Sequence, residues 1–427
     1  MTRSYSGDSF ETLNSHRIAA MIHRILFFLL IAPTCLAQTS ALPTTSNQPD
    51  DITAITVQAN QGNSDAQIKL ADAYLRGRGL AENDAEGFLW YLAAAEKGNP
   101  EAEYNVGSLY AIGKVVNQND AEATKWFLKA GEDGNAMAQY NMGVRYAYGR
   151  GVPKDNQQAA SWFRESAEQG LAIGQAGLAA GYLNGLGLPQ DKAEALKWFT
   201  KAAEQGFADA QTQVGTMYRK GEGTTVNYPL AMSWLQKAAS QSNAEAEFNL
   251  GIMYERGQGV PQDQQQATKY YAMAAENGSF EAQKYLAAVY LVGHGVEKNE
   301  TQAAKWMQMA AAHGDAESEC NLAVLYLTGT GLPQSYQGAL IWFQKSADQN
   351  FAKAQNNLGA LYFDGKGTTK DFVQAYKWLS LAEQGGYNGS QKTLDWLKTQ
   401  MTPEQIAEAQ RSADSWASLH PRLTTPK

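Results

Sequence analysis

Residues 174–206 read GQAGLAAGYLNGLGLPQDKAEALKWFTKAAEQG, and residues 246–278 read AEFNLGIMYERGQGVPQDQQQATKYYAMAAENG. Both stretches carry a tyrosine, two glycines, an aspartate and an aromatic residue in the same order and at the same spacing. The tyrosine recurs nine times at intervals of 36 residues, each time with a glycine three residues later: Tyr74, Tyr110, Tyr146, Tyr182, Tyr218, Tyr254, Tyr290, Tyr326 and Tyr362. A unit of this length cannot bury a core alone and must stack on its copies. The sequence therefore predicts a repeat array with an extended surface, which is an unusual setting for a single reactive pocket.

Each unit divides into two segments with helical periodicity. In the unit that starts at Asp209, the residues Ala210, Val214, Gly215 and Tyr218 share one helical face. The second segment starts at a residue whose side-chain oxygen can cap a helix: Asn83, Asn119, Asp155, Asp191, Asn227, Asp263, Asn299, Ser335 or Asp371. Seven residues after each cap stands an aromatic residue that we expect to be the large core side chain: Trp90, Trp126, Trp162, Trp198, Trp234, Tyr270, Trp306, Trp342 or Trp378.

Small residues mark the close contacts and the turns. One first-segment position is always Gly or Ala, as at Gly215 and Ala287, which allows a neighbouring helix to approach closely. Glycines such as Gly185 and Gly187 flank the turn between the segments, where a left-handed backbone costs them little. The second segment usually ends on another glycine, and Ser242 and Asn350 depart from that rule.

Residues 174–206 and 246–278, quoted above, resemble the Sel-one-like repeat. This repeat is a relative of the tetratricopeptide repeat with a longer, glycine-marked loop. The resemblance extends over residues 52–400. It implies an all-α fold, a right-handed superhelical solenoid of nine 36-residue helical hairpins with terminal capping helices. For function it is less specific, since the family includes scaffolds, secreted host-interaction factors and cell-envelope proteins.

The N-terminus reads as an export signal. The apolar run of residues 25–32 follows His23 and Arg24 and precedes a small-x-Ala cleavage site at residues 35–37. The run is too short to span a bilayer, so we expect no stable membrane insertion after cleavage and a periplasmic or secreted protein. Two alternatives remain open, a lipoprotein acylated at Cys35 and an uncleaved anchor. The true start is either Met1 or Met21.

The remaining boundaries follow from the repeat phase. We expect a signal peptide at 1–37, a flexible linker rich in Ser, Thr and Pro at 38–51, an N-terminal capping helix at 52–64 and nine repeats at 65–388. Capping helices at 389–418 and a tail at 419–427 complete the chain. Thr402, Pro403 and Gln405 form the pattern of a capping box at the start of the last helix.

The composition argues against several classes of function. The formal net charge of -8 disfavours nucleic acid and anionic membranes as partners, because phosphate contacts need clustered Lys and Arg. His294, His313 and His420 have no nearby His or Cys, so we expect neither a metal site nor a cofactor. Cys320 is the only cysteine after cleavage and is expected to be a buried small hydrophobe. No catalytic constellation is present, and the sequence predicts a protein that is not an enzyme.

One row of polar residues is a candidate binding site. A single first-helix position carries asparagine in five repeats: Asn105, Asn141, Asn249, Asn321 and Asn357. First helices line the concave surface in related solenoids, so these amides could bond the main chain of an extended partner peptide. The alternative is that each Asn ties its repeat to the next loop. Lys69, Gly177, Gln213 and Tyr285 interrupt the row.

We therefore expect an exported, non-enzymatic scaffold or adaptor that binds a protein or peptide partner on its concave surface, as a host-interaction or virulence factor does. A second hypothesis is a periplasmic envelope factor that binds peptidoglycan or regulates a cell-wall enzyme. A third, less favoured, is a hydrolase with a site between repeats. The sequence names neither the partner nor the oligomeric state.

Overall fold

The computed structural model describes residues 51–420, and every regular element in this range is an α-helix. The expected signal peptide, nearly all of the expected linker and residues 421–427 lie outside the described residues. The helices are α1 (Ile52–Asn60), α2 (Ser64–Arg76), α3 (Asp84–Ala95), α4 (Pro100–Ile112), α5 (Asp120–Glu132), α6 (Ala136–Tyr148), α7 (Asn156–Glu168), α8 (Ala172–Asn184), α9 (Lys192–Glu204), α10 (Ala208–Lys220), α11 (Tyr228–Ala239), α12 (Ala244–Arg256), α13 (Gln264–Glu276), α14 (Phe280–Val292), α15 (Glu300–Ala311), α16 (Ala316–Thr328), α17 (Tyr336–Asp348), α18 (Ala352–Asp364), α19 (Phe372–Gln384), α20 (Gln391–Gln400) and α21 (Pro403–Leu419). The prediction of an all-α protein is confirmed.

The helices form two compact units, one that ends at Ala238 and one that begins at Ala239. Helices α2 to α19 pair in chain order as nine hairpins, in which an even-numbered first helix packs on the odd-numbered second helix that follows it. Within each unit, a second helix also packs on the first helix of the next hairpin. Each hairpin thus buries its apolar faces against its neighbours in the chain, as expected of a repeat array.

The predicted caps of all nine second helices are confirmed. Each side-chain oxygen accepts a hydrogen bond from a first-turn backbone N–H, as Asp155 does from Gln157 at 2.9 Å and from Gln158 at 3.1 Å. The full set is Asn83, Asn119, Asp155, Asp191, Asn227, Asp263, Asn299, Ser335 and Asp371. At the last helix, Thr402 and Gln405 form both bonds of the predicted capping box.

The turn glycines combine an unusual backbone with a close contact. Gly185 and Gly187 both have a left-handed conformation, with φ of 67° and 71°. A Cβ atom at Gly187 would lie 1.8 Å from the carbonyl oxygen of Asn156, at the start of the preceding second helix. Ser242 (φ 59°) and Asn350 (φ 64°) adopt the same left-handed backbone as the glycines that they replace.

The core side chain of each second helix is one residue later than predicted. The expected aromatic residues are only partly buried in most repeats, whereas the next residue points into the hairpin. These deeply buried residues are Tyr91, Phe127, Phe163, Phe199, Leu235, Tyr271, Met307, Phe343 and Leu379. They contact the small first-helix position, since a Cβ atom added at Gly143 would lie 2.6 Å from the Phe163 ring. The close approach predicted for that position is confirmed.

Most of the predicted tryptophans instead lie at the edge of the core, although Trp126, Trp306 and Trp378 are buried. Trp198 packs against the buried cluster of its own hairpin and against that of the preceding one. Its outer face is covered by Lys201, whose Nζ lies 3.8 Å from the ring centroid. Lys237 over Trp234 and Lys345 over Trp342 repeat this arrangement, at 4.1 and 4.0 Å. Each lysine keeps its charge in water while its stem and ammonium cover the ring.

We expect Phe199→Ala to lower the free energy of unfolding by about 3–5 kcal/mol, because a fully buried ring leaves a cavity. Trp198→Ala should cost less, since part of that ring is already in water. Urea unfolding measures both values. Hydrogen exchange should show the loss of protection for Phe199→Ala concentrated in α8 to α11, because repeats contact mainly their neighbours. A larger loss for Trp198→Ala would contradict this assignment of the core.

A second buried row connects neighbouring hairpins. One first-helix position, which we name the core Gln/Glu row, contains Gln67, Glu103, Gln139, Gln175, Gln211, Glu247, Gln283, Glu319 and Gln355, all buried. Gln139 donates its side-chain N–H to the Gly131 carbonyl of the preceding second helix at 3.0 Å. Its oxygen accepts from Gln169, at the end of its own second helix, at 2.7 Å. Three successive helices are thus joined through one buried amide.

Glu103 breaks the pattern of this row. It is only 3% exposed, and its Oε2 has no hydrogen-bond partner among the described residues. The position that supplies a donor elsewhere, as Gln169 does, is here Asp133. Burial raises the pKa of Glu103, Asp133 raises it further, and Lys129 opposes the shift. A carboxylate at this position also cannot donate to the Ala95 carbonyl, as a glutamine could.

We expect Glu103→Gln to stabilise the protein by about 1–3 kcal/mol at pH 8, the usual cost of an unpaired buried polar group. A raised pKa means that the folded protein binds this proton more tightly than the unfolded chain does. The wild-type carboxyl therefore contributes its full stability below the unfolded pKa of about 4.3, and loses it as the pH rises through the folded pKa. The gain from Glu103→Gln should accordingly shrink between pH 8 and pH 4, as measured by urea unfolding.

Glu247→Gln is the matched control. Glu247 occupies the same row, but Asn277 donates to both of its carboxylate oxygens at 3.0 Å. Because that carboxylate is already hydrogen-bonded, Glu247→Gln should give a smaller gain. If both variants gained the same free energy of unfolding, the charge of Asp133 would not be what destabilises the Glu103 carboxylate.

Candidate protein-binding face

The asparagine row, Asn105, Asn141, Asn249, Asn321 and Asn357, lies on the first helices α4, α6, α12, α16 and α18. Asn105 and Asn249 are buried, with 9% and 6% of their surface exposed. Asn141, Asn321 and Asn357 are half-buried. The row is therefore shared between the two units, with two members in the first and three in the second.

Two of the asparagines bond to their own helix. Asn141 donates to the Met137 carbonyl at 2.9 Å, and Asn249 donates to the Glu245 carbonyl at 2.8 Å. These are bonds to the residue four positions earlier, not bonds to the following loop. An amide has two N–H donors and one acceptor oxygen, so the Met137 bond uses a single donor of Asn141.

The other members differ in their surroundings. Within residues 51–420, the side chains of Asn105 and Asn321 make no hydrogen bond. Asn357 accepts from Asn356 at 3.5 Å. Burial raises the pKa of Cys320 to about 11, so the thiol is protonated at neutral pH. The expectation that Cys320 is buried is confirmed.

The four residues that replace asparagine in the row differ in size, polarity and burial. Lys69 is exposed, whereas Gln213 is buried with 6% of its surface exposed. Gly177 leaves room for the Phe163 ring, which would lie 2.8 Å from an added Cβ atom. Tyr285 is half-buried and carries a hydroxyl in place of the amide.

Tyr285 belongs to a polar cluster that the sequence did not reveal. Its hydroxyl donates to the Glu255 carboxylate, which also accepts from the Tyr271 hydroxyl at 2.9 Å. Gln264 donates to the Tyr285 oxygen at 3.2 Å. The three helices α12, α13 and α14 supply these residues, and no residue type repeats at a 36-residue interval to signal the cluster.

Two of the histidine side chains make contacts within the fold. The imidazole of His313 bonds Gln283 at 3.1 Å, and that of His420 stacks on Trp416 with 4.3 Å between ring centroids. No group of three or more His, Cys, Asp or Glu residues in the part of the chain that the structure describes could hold a metal ion. Over the same residues, none of the helices has both the length and the apolar character that crossing a bilayer requires.

Solved structures with the same architecture are known. The chain is similar to a protective antigen present in uropathogenic Escherichia coli strains that displays an SLR fold, with 26% identity over 98% of this chain and 97% of that chain and a TM-score of 0.54. It is also similar to a Sel1 repeat protein from Oxalobacter formigenes, with 28% identity over 79% of this chain and 94% of that chain and a TM-score of 0.62. No curated protein matches the chain.

The Sel1 repeat model matches the chain in nine consecutive segments. They cover residues 64–99, 100–135, 136–171, 172–207, 208–243, 244–279, 280–315, 316–351 and 352–387. These segments follow the hairpins α2/α3 to α18/α19, and they confirm the resemblance that the tyrosine, glycine and cap spacing indicated. The chain belongs to the Sel1 repeat family.

Proposed function

We propose that this Sel1 repeat protein is an exported, non-enzymatic scaffold that binds a partner polypeptide on the face formed by its first helices. Sel1 repeats typically mediate protein–protein interaction, which supports a polypeptide as the partner. The asparagine row is the part of that face best suited to bond an extended main chain, because amides can both donate and accept.

The hydrogen-bonding state of Asn321 carries this proposal. Its amide is half-buried and makes no hydrogen bond within the described residues. Because the side chain is only half-buried, its amide can be reached from outside, and a partner main chain would supply both a donor and an acceptor to it. Asn141 offers an acceptor oxygen and one further N–H in the same way.

The similarity to the protective antigen supports the exported, host-directed part of the proposal. That protein covers nearly the whole of this chain in the alignment, including the segments outside the nine repeats. An antigen that protects must be accessible to the host. We propose the same kind of exposure here, in the periplasm or outside the cell, with the apolar run of residues 25–32 as the export signal.

The partner for this test is a polypeptide that is first captured by crosslinking to the mature chain. We expect Asn321→Ala/Asn357→Ala to weaken the affinity for that polypeptide by about tenfold or more. Each amide–backbone bond contributes about 0.5–1.5 kcal/mol net, so two lost bonds give this range. Affinity is measured by calorimetry, together with the melting temperature.

Gln308→Ala/Gln337→Ala is the matched control, since it removes two exposed amides from the second helices of the same unit. The control should leave the affinity unchanged. Unchanged affinity in the asparagine variant, or a fall in melting temperature that accounts for the lost binding, would place the partner elsewhere.

Export has its own test. Protein recovered from the cell envelope or the medium should have its N-terminus at or near Gln38, as read by N-terminal sequencing. An intact terminus at Met1 or Met21 in cytosolic protein would contradict export. It would leave the binding proposal standing, because that proposal rests on residues of the nine repeats.

A further inference from the structure

The Glu255 carboxylate, at the end of α12, is held in one orientation by two tyrosines. Tyr271 donates to one carboxylate oxygen at 2.9 Å, and Tyr285 donates to the other. The two rings lie close together, with 4.2 Å between their centroids. Tyr271 is only 1% exposed and Tyr285 is half-buried, so neither ring is free to turn away. The carboxylate is thus a preorganised acceptor.

Both tyrosines remain protonated donors at neutral pH. Burial raises the pKa of Tyr271, and the negative charge of Glu255 raises it further. Burial also raises the pKa of Tyr285, followed by its hydrogen bond to Glu255. Both phenols therefore remain hydrogen-bond donors to the Glu255 oxygens.

Glu255 makes no ion pair, unlike a similar tyrosine-bonded carboxylate in the first repeat. In the first repeat, Tyr91 occupies the position of Tyr271 and donates to the Asp72 carboxylate at 2.7 Å. That carboxylate has a counter-ion, since an Arg76 nitrogen lies 3.8 Å from it. Among the described residues, no basic side chain lies within ion-pair distance of Glu255. The neighbouring Arg256 is exposed and makes no ion pair with Glu255, although its charge opposes the rise in the pKa of Tyr271.

A carboxylate that makes no ion pair can still accept a charge-assisted hydrogen bond from a cation outside the chain. Glu255 is half-buried and therefore accessible from one side. Each of its oxygens accepts one tyrosine hydrogen bond and keeps a further lone pair. An arginine matches this arrangement best, because its planar guanidinium donates two parallel hydrogen bonds to a carboxylate.

We propose that Glu255, oriented by Tyr271 and Tyr285, is the docking point for an arginine side chain of the partner polypeptide. This inference rests on the proposed function and adds a chemical requirement to it. Tyr285 occupies the asparagine-row position in the repeat between those of Asn249 and Asn321. The amides would then bond the partner main chain, and the carboxylate would select a basic side chain at this repeat.

The test uses the mature chain with ¹³C-labelled tyrosine and two blocked tripeptides, Ac-Gly-Arg-Gly-NH2 and its citrulline analogue, in an NMR titration. Tyr285→Phe identifies the Tyr285 ring signal by its absence. The arginine peptide should shift that signal in a saturable way. The citrulline peptide has nearly the same shape but no charge. It should bind at least about tenfold more weakly, because it lacks the charge-assisted hydrogen bond between the guanidinium and the carboxylate.

Two variants separate the carboxylate from the fold. In Glu255→Gln the amide oxygen can accept from one tyrosine and the amide N–H can donate to the hydroxyl oxygen of the other, so the melting temperature should change little while arginine binding falls about tenfold. Asp72→Asn removes the other tyrosine-bonded carboxylate, which already has a counter-ion, and should leave the Tyr285 titration unchanged. Equal binding of arginine and citrulline, or wild-type binding by Glu255→Gln, would overturn the proposal.

The outcomes also distinguish this proposal from the proposed function. A mature chain that captures no polypeptide, but in which the arginine peptide shifts Tyr285, would contradict the scaffold function alone. A captured partner whose affinity is the same for wild type and Glu255→Gln would contradict the docking point alone.

Discussion

The contact between a small residue of the first helix and a large buried side chain of the second determines how each hairpin is built. Where the first helix has glycine, the large side chain of the second lies so close that an added methyl would overlap with it, as at Gly143 and Phe163. Interiors are packed at crystal density, so neither partner can change size freely. The distance between the two helices also sets the length of the turn that joins them. A turn of that length places its glycines against the preceding hairpin.

The junctions between hairpins depend on polar groups to an unusual degree. The core Gln/Glu row places one amide or carboxyl in the core of every repeat, and Gln139 shows how it joins three helices. An amide suits this position because it donates to one helix end while it accepts from another. A carboxylate can only accept, and at Glu103 burial raises the pKa of the carboxyl and the acidic neighbour Asp133 raises it further.

Much of the fold could be predicted because its determinants are local and periodic. The caps, the turn glycines and the capping box at Thr402 each depend on residues within a few positions of one another. The depth of burial was harder to predict. Trp198 and Phe199 are both large and adjacent, and the neighbouring hairpin decides which of them faces the core. The 36-residue period fixes the phase of a repeat but not the rotation of its helices.

The candidate site was predictable only in part, for a related reason. The asparagine row is visible because one residue type recurs at one position, although its hydrogen bonds to the preceding helical turn were not foreseen. The Glu255 cluster joins three helices through residues that occur together once in the chain. Specific recognition in a repeat protein arises where the repeats differ, and such differences carry no periodic signal.

Cys320 is fully buried, and burial raises the pKa of its thiol to about 11, so the thiol is protonated at neutral pH. A thiol in this state does not react with alkylating reagents until its hairpin opens, because the thiolate is the reactive species and needs access to solvent. In a chain that starts at Gln38, as proposed above, it is the only thiol. The protein therefore contains its own chemical probe of local opening in the second unit, at a position one residue before Asn321.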